Sequence, residues 1–198
     1  MGGIVATCTI CDTRKGKRYC TARGEDICTQ CCATEREVTI NCPHSCAYLQ
    51  ESRLHEKFRH DDAGMPHTDV NINQEFMKKS EMVLMLSAAF FNRALQPVPN
   101  ATDRDAREAI EALVASFREG KEIAPEGEIA AGIAGRFREK MGEFIKELKE
   151  REEGPFADRF MLGVLVFMAR VAYGYDNGKP LSRAYVHYLR STFPEGAA

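Results

Sequence analysis

Cys8-Thr-Ile-Cys11 and Cys28-Thr-Gln-Cys31 are the two segments that decide how the N-terminal quarter of this chain folds. Sixteen residues separate them. This spacing is typical of a structural zinc site, in which two short turns each present two thiolates to one tetrahedral ion. The other four cysteines are Cys20, Cys32, Cys42 and Cys46, and none occurs in the 152 residues that follow. Sulfur chemistry is therefore expected in the N-terminal quarter alone.

The eight thiolates are twice as many as one zinc ion needs, and the adjacent pair Cys31-Cys32 indicates how they divide. Successive side chains of an extended backbone point in opposite directions, so this pair is better placed to serve two ions than one. We predict two zinc ions per chain in an interleaved, cross-braced arrangement. Site one comprises Cys8, Cys11, Cys28 and Cys31, and site two comprises Cys20, Cys32, Cys42 and Cys46. Two alternatives remain. Cys31 and Cys32 can exchange their places between the two sites, and iron can replace zinc as the bound metal.

The predicted metal is part of the fold of this module. A module of fewer than 50 residues buries too little apolar surface to fold unaided, and structural zinc supplies about 10–16 kcal/mol of apparent binding free energy. Four cysteine ligands leave no open position for water, which favours a structural ion over a catalytic one. His44 is an alternative ligand, although its place between Pro43 and Ser45 favours exposure.

Length and composition predict two units. The chain has 198 residues, of which 44% are hydrophobic and 28% charged, with a net charge of −2. We expect a treble-clef-like or cross-braced zinc module over 1–48 and an α-helical domain over 49–198. The N-terminus lacks the basic and apolar runs of a signal peptide, which favours a cytoplasmic, reducing compartment and metal-bound thiolates over disulfides. The longest apolar stretches have about half of the ~20 residues that a membrane span needs.

Hydrophobic periodicity predicts mostly helix after the cysteine-rich region. Alternation over residues 36–40 predicts one strand, and Pro43 suits the first position of a helix with Cys42 near its N-cap. Thr102 and Asp105 form a capping-box pattern at the start of a later helix. The helical domain is predicted to be an all-α bundle of about five helices. The first of these helices is expected at about residues 72–95, and the second begins near residue 102. The third and fourth are expected at about 128–152 and 156–173, and the fifth ends near Phe193.

One segment resembles a known group of proteins. The string Cys8-x2-Cys11…Cys28-x2-Cys31-Cys32-Ala-Thr-Glu-Arg36-Glu-Val-x-Ile40-x-Cys42-Pro43-x2-Cys46-x-Tyr48-Leu49 is similar to the cysteine-rich N-terminal segment of a group of uncharacterised bacterial proteins. It more distantly resembles the cross-braced double-zinc fingers of the HIT and B-box types. The resemblance covers residues 8–49 and departs from the HIT pattern at Arg23, where a C-x2-C partner for Cys20 would stand. It implies a bacterial protein that acts through contacts with a protein partner.

A nucleic-acid-associated regulator is the alternative function. A loop with four cations, Arg14, Lys15, Lys17 and Arg18, precedes an aromatic residue, and this combination suits phosphate and base contacts. The charge balance argues against it. Residues 1–48 contain six Lys or Arg and five Asp or Glu, and two Zn²⁺ ions on eight thiolates would bring the module to about −3. Cations that offset the thiolates are therefore the preferred interpretation of this loop.

The sequence contains no catalytic constellation, so we expect a protein that is not an enzyme. Cys42-Pro-His-Ser-Cys46 resembles the C-P-H-C of bacterial thiol oxidases, but it has one inserted residue and no βαβ context. The helical domain lacks a Glu-x-x-His pair, a nucleophile elbow and a Gly-rich phosphate loop. Arg159 and Arg170 share a face of an apolar helix, where an internal ion pair is favoured over an anion site. The loop 173–179 is a candidate for ligand binding, but we prefer the interpretation that it is a plain turn.

Overall fold

The structure of the chain is a computed structural model, which describes residues 6–56, 58, 64–150 and 158–194, without the side chains of 147–150, 158 and 159. Within these residues it contains seven helices and one two-stranded sheet. The chain divides into two compact units. The first comprises Met1–Lys57 with Asn177–Ser182, and the second comprises Phe58–Asp176 with Arg183–Ala198.

The first unit is built around a short hairpin and two short helices. Strands β1 (Arg18–Cys20) and β2 (Glu25–Ile27) pair antiparallel, and Gly24 takes a φ of 70° in the turn between them, where glycine avoids a Cβ clash. Helices α1 (Thr29–Glu35) and α2 (Ala47–Arg53) follow. The buried cluster of this unit contains four cysteines but only two aliphatic side chains, and its members are Cys8, Ile27, Cys28, Cys31, Cys32 and Ile40.

The prediction of a strand over residues 36–40 is wrong. The Glu35 carbonyl accepts hydrogen bonds from the amides of residues 38, 39 and 40, so the chain turns at this point instead of extending. Glu37 takes a φ of 57°, in the left-handed region that breaks a strand. The next helix also starts later than predicted, because its N-cap is Cys46 and not Cys42.

Glu37 explains why the chain turns here. Its side chain is 1% exposed, and its carboxylate forms an ion pair with Arg53 and accepts a hydrogen bond from Asn177 Nδ2 at 3.3 Å. The Glu37 backbone carbonyl accepts the amide of Leu181 at 2.9 Å. A buried carboxylate is stable only with such partners. These contacts bring the segment 177–182 into the first unit, although it is far away in sequence.

In the described residues the second unit contains five helices, and their bounds agree with the predicted periodicity. The predicted helix end near residue 152 and the predicted helix start near residue 156 lie outside the described residues. Thr102 and Asp105 form the predicted capping box at the start of one of these helices, and Gly120 ends it with a φ of 64°. Both ends are therefore set by local sequence. The helices are α3 (Gln74–Leu95), α4 (Asp103–Glu119), α5 (Glu128–Glu150), α6 (Asp158–Gly174) and α7 (Ala184–Thr192).

Aromatic and aliphatic side chains fill the core of the second unit. Phe91 of α3 and Phe137 of α5 meet edge to face, with ring centroids 5.7 Å apart. Asp103 is 2% exposed, and its carboxylate accepts the amides of Ala184 at 2.7 Å and Val186 at 3.1 Å. This carboxylate therefore satisfies free N–H groups in the first turn of α7.

No helix in the described ranges is both long enough and apolar enough to cross a membrane.

Arg170 does not form the predicted ion pair with any described residue. Its guanidinium donates to the carbonyls of Pro66, His67 and Val70, at 3.2, 2.7 and 2.8 Å. The cation thus holds a loop whose carbonyls would otherwise lack donors. The side chain of Arg159 lies outside the described part.

In the loop 173–179, the Tyr175 ring stacks on the Tyr188 ring, with the two ring centroids 4.8 Å apart. This contact agrees with a packed turn.

Candidate metal centre

Four of the eight cysteines lie together in the first unit. The Sγ atoms of Cys8, Cys11, Cys28 and Cys31 are all within 4.8 Å of one another. Thiolates at about 2.3 Å from a tetrahedral zinc ion lie roughly 3.8 Å apart. A small contraction therefore brings the four sulfurs to zinc-ligand distances, and the group could hold one metal ion. Three of these side chains are buried, while Cys11 is half-buried.

The first pair of ligands is presented by a hydrogen-bonded knuckle. The Cys8 amide donates to the Arg14 carbonyl at 2.8 Å, and the Cys8 carbonyl accepts the Asp12 amide at 2.9 Å. Asp12 takes a φ of 51°, a conformation that aspartate tolerates better than most residues. The chain thus reverses immediately after Cys11, which keeps both sulfurs on the same side of the turn.

The second pair lies at the start of α1. Cys28 is the N-cap residue, and its Sγ accepts the Cys31 amide at 3.3 Å. Cys31 lies three residues further along, close to one helical turn, so both sulfurs face the same way. Cys28 directly follows the last residue of β2. The hairpin therefore sets the position of the second pair of ligands relative to the chain that carries the first.

Hydrogen bonding and burial shift the pKa values of Cys11, Cys28 and Cys31 in different directions. Hydrogen bonds from the Thr13 hydroxyl, and then from the Thr13 and Arg14 amides, lower the pKa of Cys11 to about 5. The Cys31 amide lowers the pKa of Cys28. Burial, followed by the neighbouring sulfurs, raises the pKa of Cys31 to about 12. At neutral pH the Cys11 sulfur is thus a thiolate, the shift of Cys28 favours its thiolate, and a bound cation would displace the proton of Cys31.

The structure does not bring the other four cysteines together. Within the described residues, the sulfurs of Cys20, Cys32, Cys42 and Cys46 form no group comparable to the first. Cys20 lies in β1, Cys32 in α1, Cys42 in the loop that precedes α2, and Cys46 at the N-cap of α2. Of the adjacent pair, Cys31 is the member that joins the four-sulfur group.

Arginine side chains contact the sulfur of Cys32 and that of Cys11 in the first site. Cys32 Sγ accepts from Arg18 Nη1 at 3.4 Å and from Arg36 Nη2 at 3.7 Å. Arg18 also lies over the Tyr48 ring, 4.4 Å from its centroid. Arg14 Nη1 is 3.9 Å from Cys11 Sγ. Sequence reasoning identified Arg14 and Arg18 as cations of a loop, but it did not identify Arg36, whose contact depends on its position one turn after Cys32.

A comparison of the chain with known protein-family models, with curated proteins and with solved structures found no match. The resemblance of residues 8–49 to bacterial proteins and to HIT and B-box fingers therefore stays a prediction.

Proposed function

We propose that the first unit is a structural zinc module, and that the protein acts without catalysis, through contacts of this unit with another protein. The observation that carries the proposal is the group of four sulfurs within 4.8 Å on two turns. Four sulfurs complete a tetrahedral zinc shell and leave no position for water or substrate. Such a metal ion stabilises a fold and has no direct part in a reaction.

The order of elements around the four sulfurs supports this assignment. A cysteine knuckle comes first, then the hairpin β1–β2, then α1 with two cysteines at its start. This is the order of a treble-clef zinc finger. The small number of aliphatic side chains in the core of the first unit adds support, because a unit with so little apolar burial needs another source of stability.

The proposal extends to a second zinc ion on Cys20, Cys32, Cys42 and Cys46. Cys32 belongs to the buried cluster of the first unit, and Cys20 and Cys42 pack against that cluster. The Arg18 and Arg36 guanidiniums at Cys32 Sγ supply the positive charge and the N–H donors that usually surround a zinc-bound thiolate. Binding would require these scattered sulfurs to move to about 3.8 Å from one another.

Exposed apolar side chains of the first unit favour a protein partner. Tyr19, Val38 and Leu54 are 58, 40 and 84% exposed, so their apolar side chains are accessible to a partner. The nucleic-acid alternative is less well supported. Arg14 and Arg18 contact sulfur atoms, so Lys15 and Lys17 are the cations of this loop that stay available to a phosphate.

Metal content tests the first part of the proposal. We expect two zinc ions per chain by native mass spectrometry and elemental analysis of protein purified under reducing conditions. Cys11→Ser should remove one ion and Cys42→Ser the other, while Thr29→Ser, which changes an exposed residue of α1 outside both ligand sets, should keep both. A single ion that persists in Cys42→Ser would support the first site and contradict the second. Iron in place of zinc would contradict the metal assignment.

Capture of partners tests the second part. The tagged full chain, Leu54→Ser and the control Met82→Ser would be compared after nuclease treatment, with recovered proteins identified by cross-linking mass spectrometry. Met82 is an exposed apolar residue of the second unit, 74% exposed. We expect a defined protein to be retained by the wild type and the control, and to be depleted at least about fivefold with Leu54→Ser. Equal recovery with all three, or loss on nuclease treatment, would argue against the proposed contact.

A further inference from the structure

The dipeptide Asn177-Gly178 occurs once in the chain, in the segment 177–182 that belongs to the first unit. Asparagine is one of the thermolabile residues of proteins. It is most reactive before a glycine, because glycine has no Cβ to shield its own backbone nitrogen. Gly178 is exposed and takes a φ of 73°. The two residues therefore form a candidate site of spontaneous modification.

The reaction at such a site is the loss of ammonia from the asparagine side chain. The Gly178 backbone nitrogen attacks Cγ of Asn177, so that a bond from this nitrogen to Cγ forms and the bond from Cγ to Nδ2 breaks. The nitrogen of Gly178 loses its proton and the leaving Nδ2 gains one, which gives ammonia and a five-membered succinimide ring. Water then opens the ring at one of its two carbonyl groups, and the product is aspartate or isoaspartate. Water is the only co-reactant, and nothing is oxidised or reduced.

Three hydrogen bonds hold the amide group of Asn177 in the folded first unit. Nδ2 donates to the Glu37 carboxylate at 3.3 Å and to the Glu56 carboxylate at 3.5 Å. Oδ1 accepts the Lys179 amide at 3.0 Å. During ring closure Cγ changes from planar to tetrahedral geometry, so both the nitrogen and the oxygen that it carries have to leave these positions. The folded unit therefore opposes the reaction, whereas an opened unit does not.

The product of this reaction does not suit the place that Asn177 occupies. Aspartate has no N–H group to donate to the Glu37 and Glu56 carboxylates, and it adds a third negative charge beside them. The side chains of Glu37 and Glu56 are 2% and 26% exposed, so water screens the repulsion only in part. Arg53 already pairs with both of them. A further carboxylate at this place is therefore expected to destabilise the unit.

Isoaspartate disturbs the backbone as well. It adds one carbon atom to the main chain at position 177, four residues before Leu181. The Leu181 amide donates to the Glu37 carbonyl at 2.9 Å. A longer main chain displaces this donor from its acceptor, so the second product also weakens the attachment of the segment 177–182.

We propose that Asn177 is a modification site whose reaction is controlled by the fold of the first unit. While the unit is folded, its hydrogen bonds keep Asn177 intact. When the unit opens, Asn177 loses ammonia, and the new carboxylate repels Glu37 and Glu56 when the unit closes again. The reaction is irreversible, so each converted chain carries a permanent mark of an opening. The hydrogen bonds of Asn177 exert this control, and neither a metal ion nor a partner is needed for it.

Peptide mass spectrometry of the full-length chain tests the reaction and its control. The native chain and the chain in concentrated urea would be incubated at the same pH and temperature, and the conversion of amide to acid followed in the tryptic peptide 171–183. We expect conversion at Asn177 to be at least about tenfold slower in the native chain. Gly178→Ala should slow it in urea at least about tenfold, because a Cβ shields the attacking nitrogen. Asn100, which precedes an alanine, is the internal control. Equal rates in the native chain and in urea, or a rate in urea no faster than that of Asn100, would overturn the proposal.

Two substitutions at the same position test the effect of the product. Asn177→Asp adds the carboxylate, whereas Asn177→Ala removes the same hydrogen bonds without adding a charge. Trypsin should cleave after Lys15 and Lys17 at least about fivefold faster in the first variant than in the second. Glu56→Gln, which removes one of the opposing charges, should at least halve this ratio. Glu75→Gln, at a carboxylate of the second unit that is 71% exposed, should leave it unchanged. Equal cleavage of the two variants at position 177 would overturn the proposed repulsion.

Discussion

Replacing Cys28 with serine is expected to abolish binding of the proposed zinc ion at the first site and to unfold the first unit. Cys28 is 3% exposed, and it supplies one of four clustered sulfurs while it also caps α1. Serine is a good N-cap residue, so the substitution keeps the capping acceptor and removes only the metal-binding thiolate. Because structural zinc contributes about 10–16 kcal/mol of apparent free energy in small modules, the loss of this ligand should exceed the stability of the unit.

Limited proteolysis and metal analysis measure this outcome. Trypsin should cleave the variant quickly after Lys15, Lys17 and Arg23, residues of the knuckle and hairpin, while the helices of the second unit stay protected. The wild type with bound zinc should resist cleavage at these positions, and a chelator should make it behave like the variant. Full zinc content in Cys28→Ser, or unchanged resistance after chelation, would mean that the metal does not hold the unit together.

Replacing Phe91 with alanine is expected to give the largest loss of stability in the second unit. The side chain is fully buried and packs edge to face on Phe137. Removal of a buried phenylalanine side chain costs about 3–5 kcal/mol, from lost transfer free energy and from the cavity that remains. For a unit of this size the midpoint of thermal unfolding should fall by roughly 10–20 °C.

Two other substitutions separate this effect from a general response to mutation. Phe91→Leu keeps most of the apolar volume and should cost less than half as much. Met82→Ala changes a residue that is 74% exposed and should alter the free energy of unfolding by less than about 0.5 kcal/mol. Urea unfolding followed by circular dichroism measures all three. A loss below about 1 kcal/mol for Phe91→Ala would show that this core can refill the space. Zinc content should be unchanged in every case.

Local sequence signals were sufficient for the helices of the second unit. The capping pattern of Thr102 and Asp105 acts within four residues, and the apolar stripe of α4 repeats over several turns. The C-x2-C pairs likewise indicated the four clustered sulfurs from spacing alone, because each pair lies on one short turn. In all these cases the residues that determine the structure are neighbours in sequence.

The parts that could not be predicted depend on contacts between distant residues or on very short elements. The strands β1 and β2 have three residues each, too few for an alternation to show. Residues 36–40 do alternate, but the buried contacts of Glu37 with Arg53 and Asn177 impose a turn on them. Arg170 is surrounded by carbonyls of a loop about 100 residues earlier in the chain, so its helix could not reveal its partners.

The hydrogen bond from Asn177 to Glu37 has a consequence for the order of events during synthesis. The two residues are 140 positions apart, and at about 5–20 residues per second a ribosome needs roughly 7–28 s to pass from one to the other. All four clustered cysteines emerge well before that interval ends, because the last of them is Cys31. If the proposed zinc ion binds at this stage, it binds while Glu37 still lacks Asn177, and it would hold an incomplete unit together until the end of α6 has been made.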